Sequence, residues 1–288
     1  PMDKRIAEKV LSLAAAVKTD AAEFYLRSSL ATTVEVKGQR VDAFDRARDA
    51  GAALRVITGG RLGFAFTNEL TETSLRALVD AAVTNARYSE PDPYSNIPAL
   101  PSRRYPEVAI YDEAVPTLTD QEKIDRVMAM EREAFLVDSR VKRIRKASAS
   151  FSISQTLIMN SHGAEVSYRG TAVSASIEVV AEDNGEAQAG WEYDARRFYR
   201  KLDIETVGRR AARKAVDLLG ARPIESTKAP VILDAGVAEE FLSLMASGFL
   251  ADNVQKKKSL FIGKMDTIVS SPLITVCDDG LLEGGMGT

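Results

Sequence analysis

The chain has 288 residues, 45% of them hydrophobic and 27% charged, with 38 basic against 41 acidic side chains and a net charge of −3. That length and balance suit a globular protein of two or three domains, and no run approaches the roughly eighteen apolar residues of a membrane-spanning helix. The slight acidic excess argues against nucleic acid as a partner, and a single cysteine with no signal-peptide pattern points to the cytoplasm.

A helix is expected first, with Ile6, Val10, Leu13, Ala14 and Val17 on one face. Strand patterns follow at Glu23–Arg27, Thr32–Lys37, Ala52–Thr58 and Leu62–Thr67, the last two joined at Gly59-Gly60 by a hairpin turn that needs positive φ. Thr71 caps a second helix whose apolar face carries Leu75, Leu78, Val79, Ala82, Val83 and Ala86. Residues 89–118 hold six of the ten prolines and are expected to run extended between two compact units. Thr119 and Glu122 then form a capping box for a third helix bearing Ile124, Val127, Met128, Glu131, Ala134 and Phe135.

From Val141 to about Tyr199 the pattern has period two, with Ala147, Ala149, Phe151 and Ile153 alternating with Ser148, Ser150, Ser152 and Ser154. Ser161-His162-Gly163 and Glu182–Gly185 read as turns, and a helix from Asp203 to Leu219 ends at Gly220. Beyond Pro223, Pro230–Leu233 predicts a short buried strand, Val237 to Phe249 a helix, and Leu273–Val276 a final strand. The expected fold class is α+β, multi-domain, with mostly antiparallel sheets and packed helices. The expected domains are 1–90, a crossing segment 91–118, a central domain 119–222 and the start of a third, 223–288. Pro1 before Met2 reads as a tag remnant, and the Gly284–Thr288 ending as a C-terminal truncation.

The candidate sites have plain alternatives. Gly59-Gly60-Arg61-Leu62-Gly63 matches no phosphate-binding fingerprint and reads as a hairpin. Arg140, Lys142, Arg143, Arg145 and Lys146 on a strand would divide their charge between two faces, as a solvated strand does, and Lys256–Lys258 reads as a loop. His162, the only histidine, sits in a turn without a visible acid–base partner. Cys277 at a strand end is expected to be a small buried thiol. Asp278 and Asp279 offer oxygen ligands to a hard cation together with Glu283, although adjacent acids after a strand more often open a loop.

Several stretches together resemble the TldD/PmbA family, also known as modulators of DNA gyrase or peptidase U62. They are Leu54–Ala65 with Thr67-Asn68 and the helix to Tyr88, then Ile158–Tyr168 with Ala172–Glu182. The most specific are Ala229–Asp234 with its helix, Ser271–Asp279, and the Gly284–Thr288 tail. TldD-type members carry His-Glu-x-x-x-His on the helix after the strand matching Val231–Asp234, a pattern in which two imidazoles hold zinc and the glutamate activates water. Aligned from that strand, those positions fall on Ser243, Leu244 and Gly248, none of which can perform its assigned role. The resemblance is therefore to the PmbA (TldE) type. It implies a chain with no catalytic or metal-binding residues of its own and no cofactor, with zinc in a TldD-type partner subunit. It implies a heterodimer that acts on unfolded peptides, including peptide-antibiotic precursors and antitoxins, with pairing to a second copy when the chain is isolated. The alternative is a binding protein that modulates DNA gyrase or another partner without proteolysis.

Overall fold

The computed structural model describes residues 4–99 and 105–287. The chain divides into one unit made of residues 1–221 with 280–288 and a second made of 222–279.

The first unit is built on a six-stranded, wholly antiparallel sheet in the order β3-β2-β1-β4-β5-β6. The strands are β1 (Ala21–Lys37), β2 (Arg40–Thr58), β3 (Arg61–Thr67), β4 (Val141–Asn160), β5 (Glu165–Asp183) and β6 (Glu186–Arg196). β1 pairs with β2 on one side and with β4 on the other, so the sheet runs without a break from residues before the proline-rich crossing to residues after it. The described part of that crossing is extended, with a bridge from Pro91 to Arg61 and a 3-10 turn at Val115–Thr117. Pro1, Met2, Pro101 and Thr288 lie outside the described residues.

Four helices of this unit are α1 (Lys4–Ala16), α2 (Glu72–Tyr88), α3 (Asp120–Leu136) and α4 (Ile204–Asp217). Their positions follow from strand periodicity. Phe24 and Leu26 of β1 pack in one core with α1 and α2, whereas Val34 and Val36 of the same strand pack in a second core with α3 and α4. These residues share parity and therefore one face of the sheet. Seventeen residues of strand extend for about 55 Å, enough to carry two helix pairs side by side. On the other face β4 presents Ser148, Ser150, Ser152, Ser154 and Thr156, opposite Ser176, Ser174, Ala172, Gly170 and Tyr168 of β5.

The caps at Thr71 and Thr119 form as the sequence implies, Thr119 and Glu122 make both halves of the capping box, and Asp203, expected as the first helical residue, is the N-cap of α4. Gly59-Gly60 turns with φ of +57° and +69°. The strand segments expected at Glu23–Arg27 and Thr32–Lys37 are one strand, and β2 begins twelve residues before Ala52. Residues 28–31 and the charge-rich 40–51 lack the apolar alternation of a strand, but their backbones pair across the ladder regardless. α4 ends at Asp217 with Leu218 as its C-cap, and Gly220, expected as the cap, follows two residues later in the left-handed region at φ +77°.

Three glycines allow layers to touch. A Cβ on Gly63 would lie 1.9 Å from the Ala82 carbonyl oxygen of α2, and one on Gly190 would lie 2.2 Å from that of Ala211 in α4. A Cβ on Gly208 would lie 2.2 Å from the Met130 oxygen, so α4 meets the α3 backbone directly. Gly63 is thus a packing glycine as well as part of a hairpin sequence.

The second unit contains α5 (Ala235–Phe249), capped by Asp234 through its side chain to the Val237 N–H, and α6 (Ala251–Gln255). The two strands expected here are absent. Pro230–Leu233 has no regular structure and Ile232 is 98% exposed, while Leu273–Val276 forms a turn and irregular chain with Leu273 94% exposed. An apolar run becomes a strand only when another backbone pairs with it, and among the described residues none does.

Candidate functional site

Ser243, Leu244 and Gly248 all lie on α5, so the helix that the family motif requires is present. Their chemistry does not fit zinc. Ser243 and Leu244 are exposed, Leu244 ends in hydrocarbon, and Gly248 has no side chain. Gly248 has a different task. A Cβ there would lie 3.0 Å from the Phe261 ring, which stacks on Phe249 at 4.2 Å. The Ser259 hydroxyl donates to the Gly248 carbonyl, and the Asn253 amide donates to that of Ser247 at 2.7 Å. A side chain at position 248 would therefore press on the Phe261 ring, which would have to give by a few tenths of an ångström. Among the described residues no group of three His, Cys, Asp or Glu side chains is placed to hold a metal ion.

The remaining candidates are scattered. His162 is exposed in the β4–β5 turn, where its backbone N–H donates to Asn160 Oδ1 at 3.0 Å. Cys277 is exposed, contrary to the buried thiol expected, because the strand that was to bury it does not form. Asp278 and Asp279 are exposed and belong to the second unit, whereas Glu283 belongs to the first. Lys256 pairs with Asp252 at 2.8 Å in the turn of α6.

The basic run departs from simple alternation. Bulges between Val141 and Arg143 and between Ile144 and Lys146 turn Val141, Ile144 and Ala147 inward and leave the charges outward in pairs. Each bulge adds a residue, so period-two reasoning failed here. Arg143 meets Glu182 at 3.1 Å, Arg145 meets Glu178 at 2.8 Å, Arg140 meets Asp138 at 2.9 Å, and Lys146 pairs with Glu35. Acidic side chains thus face Arg140, Arg143, Arg145 and Lys146, while the Lys142 ammonium donates to the Ser139 carbonyl at 2.8 Å.

Two sites were not legible in advance. Arg197 follows β6 and receives the stretch before the C-terminus: its Nε donates to the Gly285 carbonyl at 3.0 Å and its Nη2 to that of Met286 at 2.8 Å. The Gly284 N–H donates to the Ala109 oxygen at 3.0 Å, and with φ of +69° a Cβ added there would lie 3.3 Å from the Phe198 ring. The glycine-rich tail thus has a seat in the first unit. Burial pushes the Arg197 guanidinium below its usual pKa. The second site is Glu131 of α3, fully buried, whose carboxylate accepts from the Gly38 N–H at 2.7 Å, the Gln39 N–H at 2.6 Å and Gln39 Nε2 at 2.8 Å. The sequence signal for it was a carboxylate on the apolar face of a helix.

Comparison with known proteins places these features in a family. Models of the PmbA/TldA metallopeptidase match domain 1 at residues 22–86, the central domain at 113–219 and the C-terminal domain at 226–288. The metalloprotease PmbA of Escherichia coli O157:H7 is 25% identical over 291 residues, covering 99% of this chain and 64% of that protein. A metalloprotease TldD homologue of Haemophilus influenzae is 28% identical over 255 residues, covering 83% of this chain and 52% of that one. The chain therefore spans between about half and two thirds of these relatives' lengths. In structure it resembles a candidate modulator of DNA gyrase from Bacteroides thetaiotaomicron, with TM-score 0.82, 23% identity and coverage of 92% of this chain and 61% of that one. TldE from Thermococcus kodakarensis has the same fold, with TM-score 0.75, 18% identity and coverage of 90% and 58%. With three consecutive domain models matched in order, this chain belongs to the PmbA/TldD family.

Proposed function

We infer that the chain is a PmbA (TldE)-type subunit that works with a metal-bearing TldD-type subunit in the cytoplasmic proteolysis of unfolded peptides, such as peptide-antibiotic precursors or antitoxins. The observation that carries the reading is the chemistry of α5. Ser243, Leu244 and Gly248 supply neither imidazole nor carboxylate, and a Cβ at position 248 would lie 3.0 Å from the Phe261 ring. A chain with this helix contributes fold and surface, and the hydrolytic zinc belongs to its partner.

The test mixes a full-length version of this chain with a TldD-type chain and follows cleavage of an unfolded, fluorogenic protein. The expected result is cleavage that needs both chains and stops on adding a chelator. Cleavage by this chain alone, undiminished by chelator, would refute the reading. A gyrase-directed binding protein would instead leave the peptide intact and alter DNA supercoiling by purified gyrase.

A further inference from the structure

The face of α3 that packs on the sheet carries two charges, Lys123 and Glu131, in line with Val127, Met130 and Ala134. Glu131 is matched by three donors of the β1–β2 hairpin, but Lys123 has no such match. Its side chain is 9% exposed, and its ammonium makes no hydrogen bond among the described residues. Its one ion pair there is with Asp120 Oδ1 at 3.6 Å, an oxygen that already receives Arg46 at 2.7 Å. The ammonium also lies 5.9 Å from the centroid of the Phe151 ring. An ammonium has three donors, and burying them without acceptors costs free energy that an added acceptor would recover.

Lys123 lines a cleft floored by the middle of the sheet. Leu30 and Thr32 share the parity of Leu26 and Val34, so they lie on the helix-bearing face of β1, between the two cores. Leu30 pairs with Ile153 of β4 and Thr32 with Phe151. Leu30 belongs to neither core and is 38% exposed, so the floor reaches the surface. Thr32 is 4% exposed, and its hydroxyl makes no hydrogen bond among the described residues. Val115, Pro116 and Leu118 form a further wall, leaving a cavity of about 240 Å³ whose lining lies wholly within the described residues.

We propose that this cleft binds a carboxylate carried on a short aliphatic stem. The carboxylate accepts from the Lys123 ammonium and the Thr32 hydroxyl, and the stem lies against Leu30, Ile153 and Pro116. The charge of the ligand follows from the balance of the site. Arg46 and Asp120 neutralise each other, so Lys123 leaves one positive charge for one negative group. A phosphate carries more charge than that and brings no stem for the apolar walls. The cavity is smaller than the roughly 300–1,000 Å³ of pockets for drug-sized ligands, which limits the stem to a few carbons. Two sources share this chemistry, a short fatty acid and the C-terminal residue of a peptide that ends in an aliphatic side chain. Neither requires a TldD-type partner.

The experiment uses the 288-residue chain, labelled with carbon-13 in its leucine and isoleucine methyl groups and its lysine side chains. NMR titrations with hexanoate, N-acetylleucine, hexanol and inorganic phosphate follow the resonances of Leu30, Ile153 and the Lys123 ε-methylene. A carboxylate should shift all three saturably and bind at least about tenfold tighter than hexanol, which has the stem without the charge. Phosphate should bind more weakly than either carboxylate. The tighter of hexanoate and N-acetylleucine identifies the source as a free acid or a peptide end. Lys123→Met keeps a stem of similar length without the charge, and should weaken carboxylate binding by about tenfold or more while leaving hexanol unchanged. Should Lys123→Met fail to fold, the preference of the parent chain for a carboxylate over hexanol decides alone. The proposal is overturned by an absence of shifts at Leu30 and Ile153 with both carboxylates at about 10 mM, by equal affinity for hexanol, by tighter binding of phosphate, or by undiminished binding to Lys123→Met.

Discussion

Replacing Glu131 by alanine would strip the tip of the β1–β2 hairpin of the carboxylate that receives its backbone N–H groups. Gly38 and Gln39 turn with φ of +60° and +57°, a conformation costly for glutamine, and both N–H groups aim at the one carboxylate. Hydrogen bonds to a charged group contribute about 1.5–3 kcal/mol each, but the hairpin tip is exposed and water would recover much of that. The buried methylenes of Glu131, fully enclosed beside Met130 and Ala134, add roughly 1–2 kcal/mol. The expected loss is about 3–4 kcal/mol for Glu131→Ala and about 1–2 kcal/mol for Glu131→Gln, which keeps the shape and one acceptor oxygen. Urea unfolding followed by fluorescence reads this directly, because Trp191, the only tryptophan, sits in β6 of the same unit. A second substitution, Gln39→Ala, should cost stability in the parent chain and little in the Glu131→Ala background, where the carboxylate is already gone. A Glu131→Ala midpoint within about 0.5 kcal/mol of the parent would refute the idea that this carboxylate anchors the hairpin.

Gly208→Ala should destabilise the first unit by roughly 3 kcal/mol or more, since the new methyl meets the Met130 carbonyl at 2.2 Å and α3 must move; a thermal or urea midpoint measures it. Asp138 is held at a pKa of about 2, chiefly by its side-chain hydrogen bonds from Arg140 and then by the Arg140 N–H. A depressed carboxylate stabilises the fold above its unfolded pKa, and that contribution fades as pH falls from about 4 through 2. In Arg140→Ala the Asp138 carboxyl resonance should titrate at a higher pH, though below the ordinary value because the backbone bond remains; an unmoved midpoint would contradict the assignment. The triple change Ser243→His, Leu244→Glu, Gly248→His should not create a stoichiometric, tightly held zinc, because the Phe261 ring must give way before the third side chain and, among the described residues, no further ligand stands ready to complete a site. Elemental analysis after dialysis checks this, and one retained zinc per chain would show the end of α5 to be more yielding than its packing implies.

Local chemistry was legible wherever a residue's partner lay a few positions away. The Thr119–Glu122 box, the Thr71 cap and the Gly59-Gly60 turn needed no tertiary knowledge, because their hydrogen bonds close within a few residues. The loss of the zinc motif at Ser243, Leu244 and Gly248 was equally visible, since identity alone removes the ligands. What the tertiary structure decided concerns residues whose partners are remote. Pro230–Leu233 and Leu273–Val276 have the composition of strands, yet among the described residues no backbone pairs with them, while the charge-rich residues 40–51 are strand because β1 lies alongside. Glu131 meets a turn more than ninety positions earlier, and Arg197 meets a tail nearly ninety positions later. The two bulges of β4 and the late start of β6 pairing depend on where neighbouring strands start and stop, a property of the pair and not of either sequence. Side-chain periodicity records which face a residue is on, but it does not record which strand is beside it or that β6 begins to pair with β5 only at Val173.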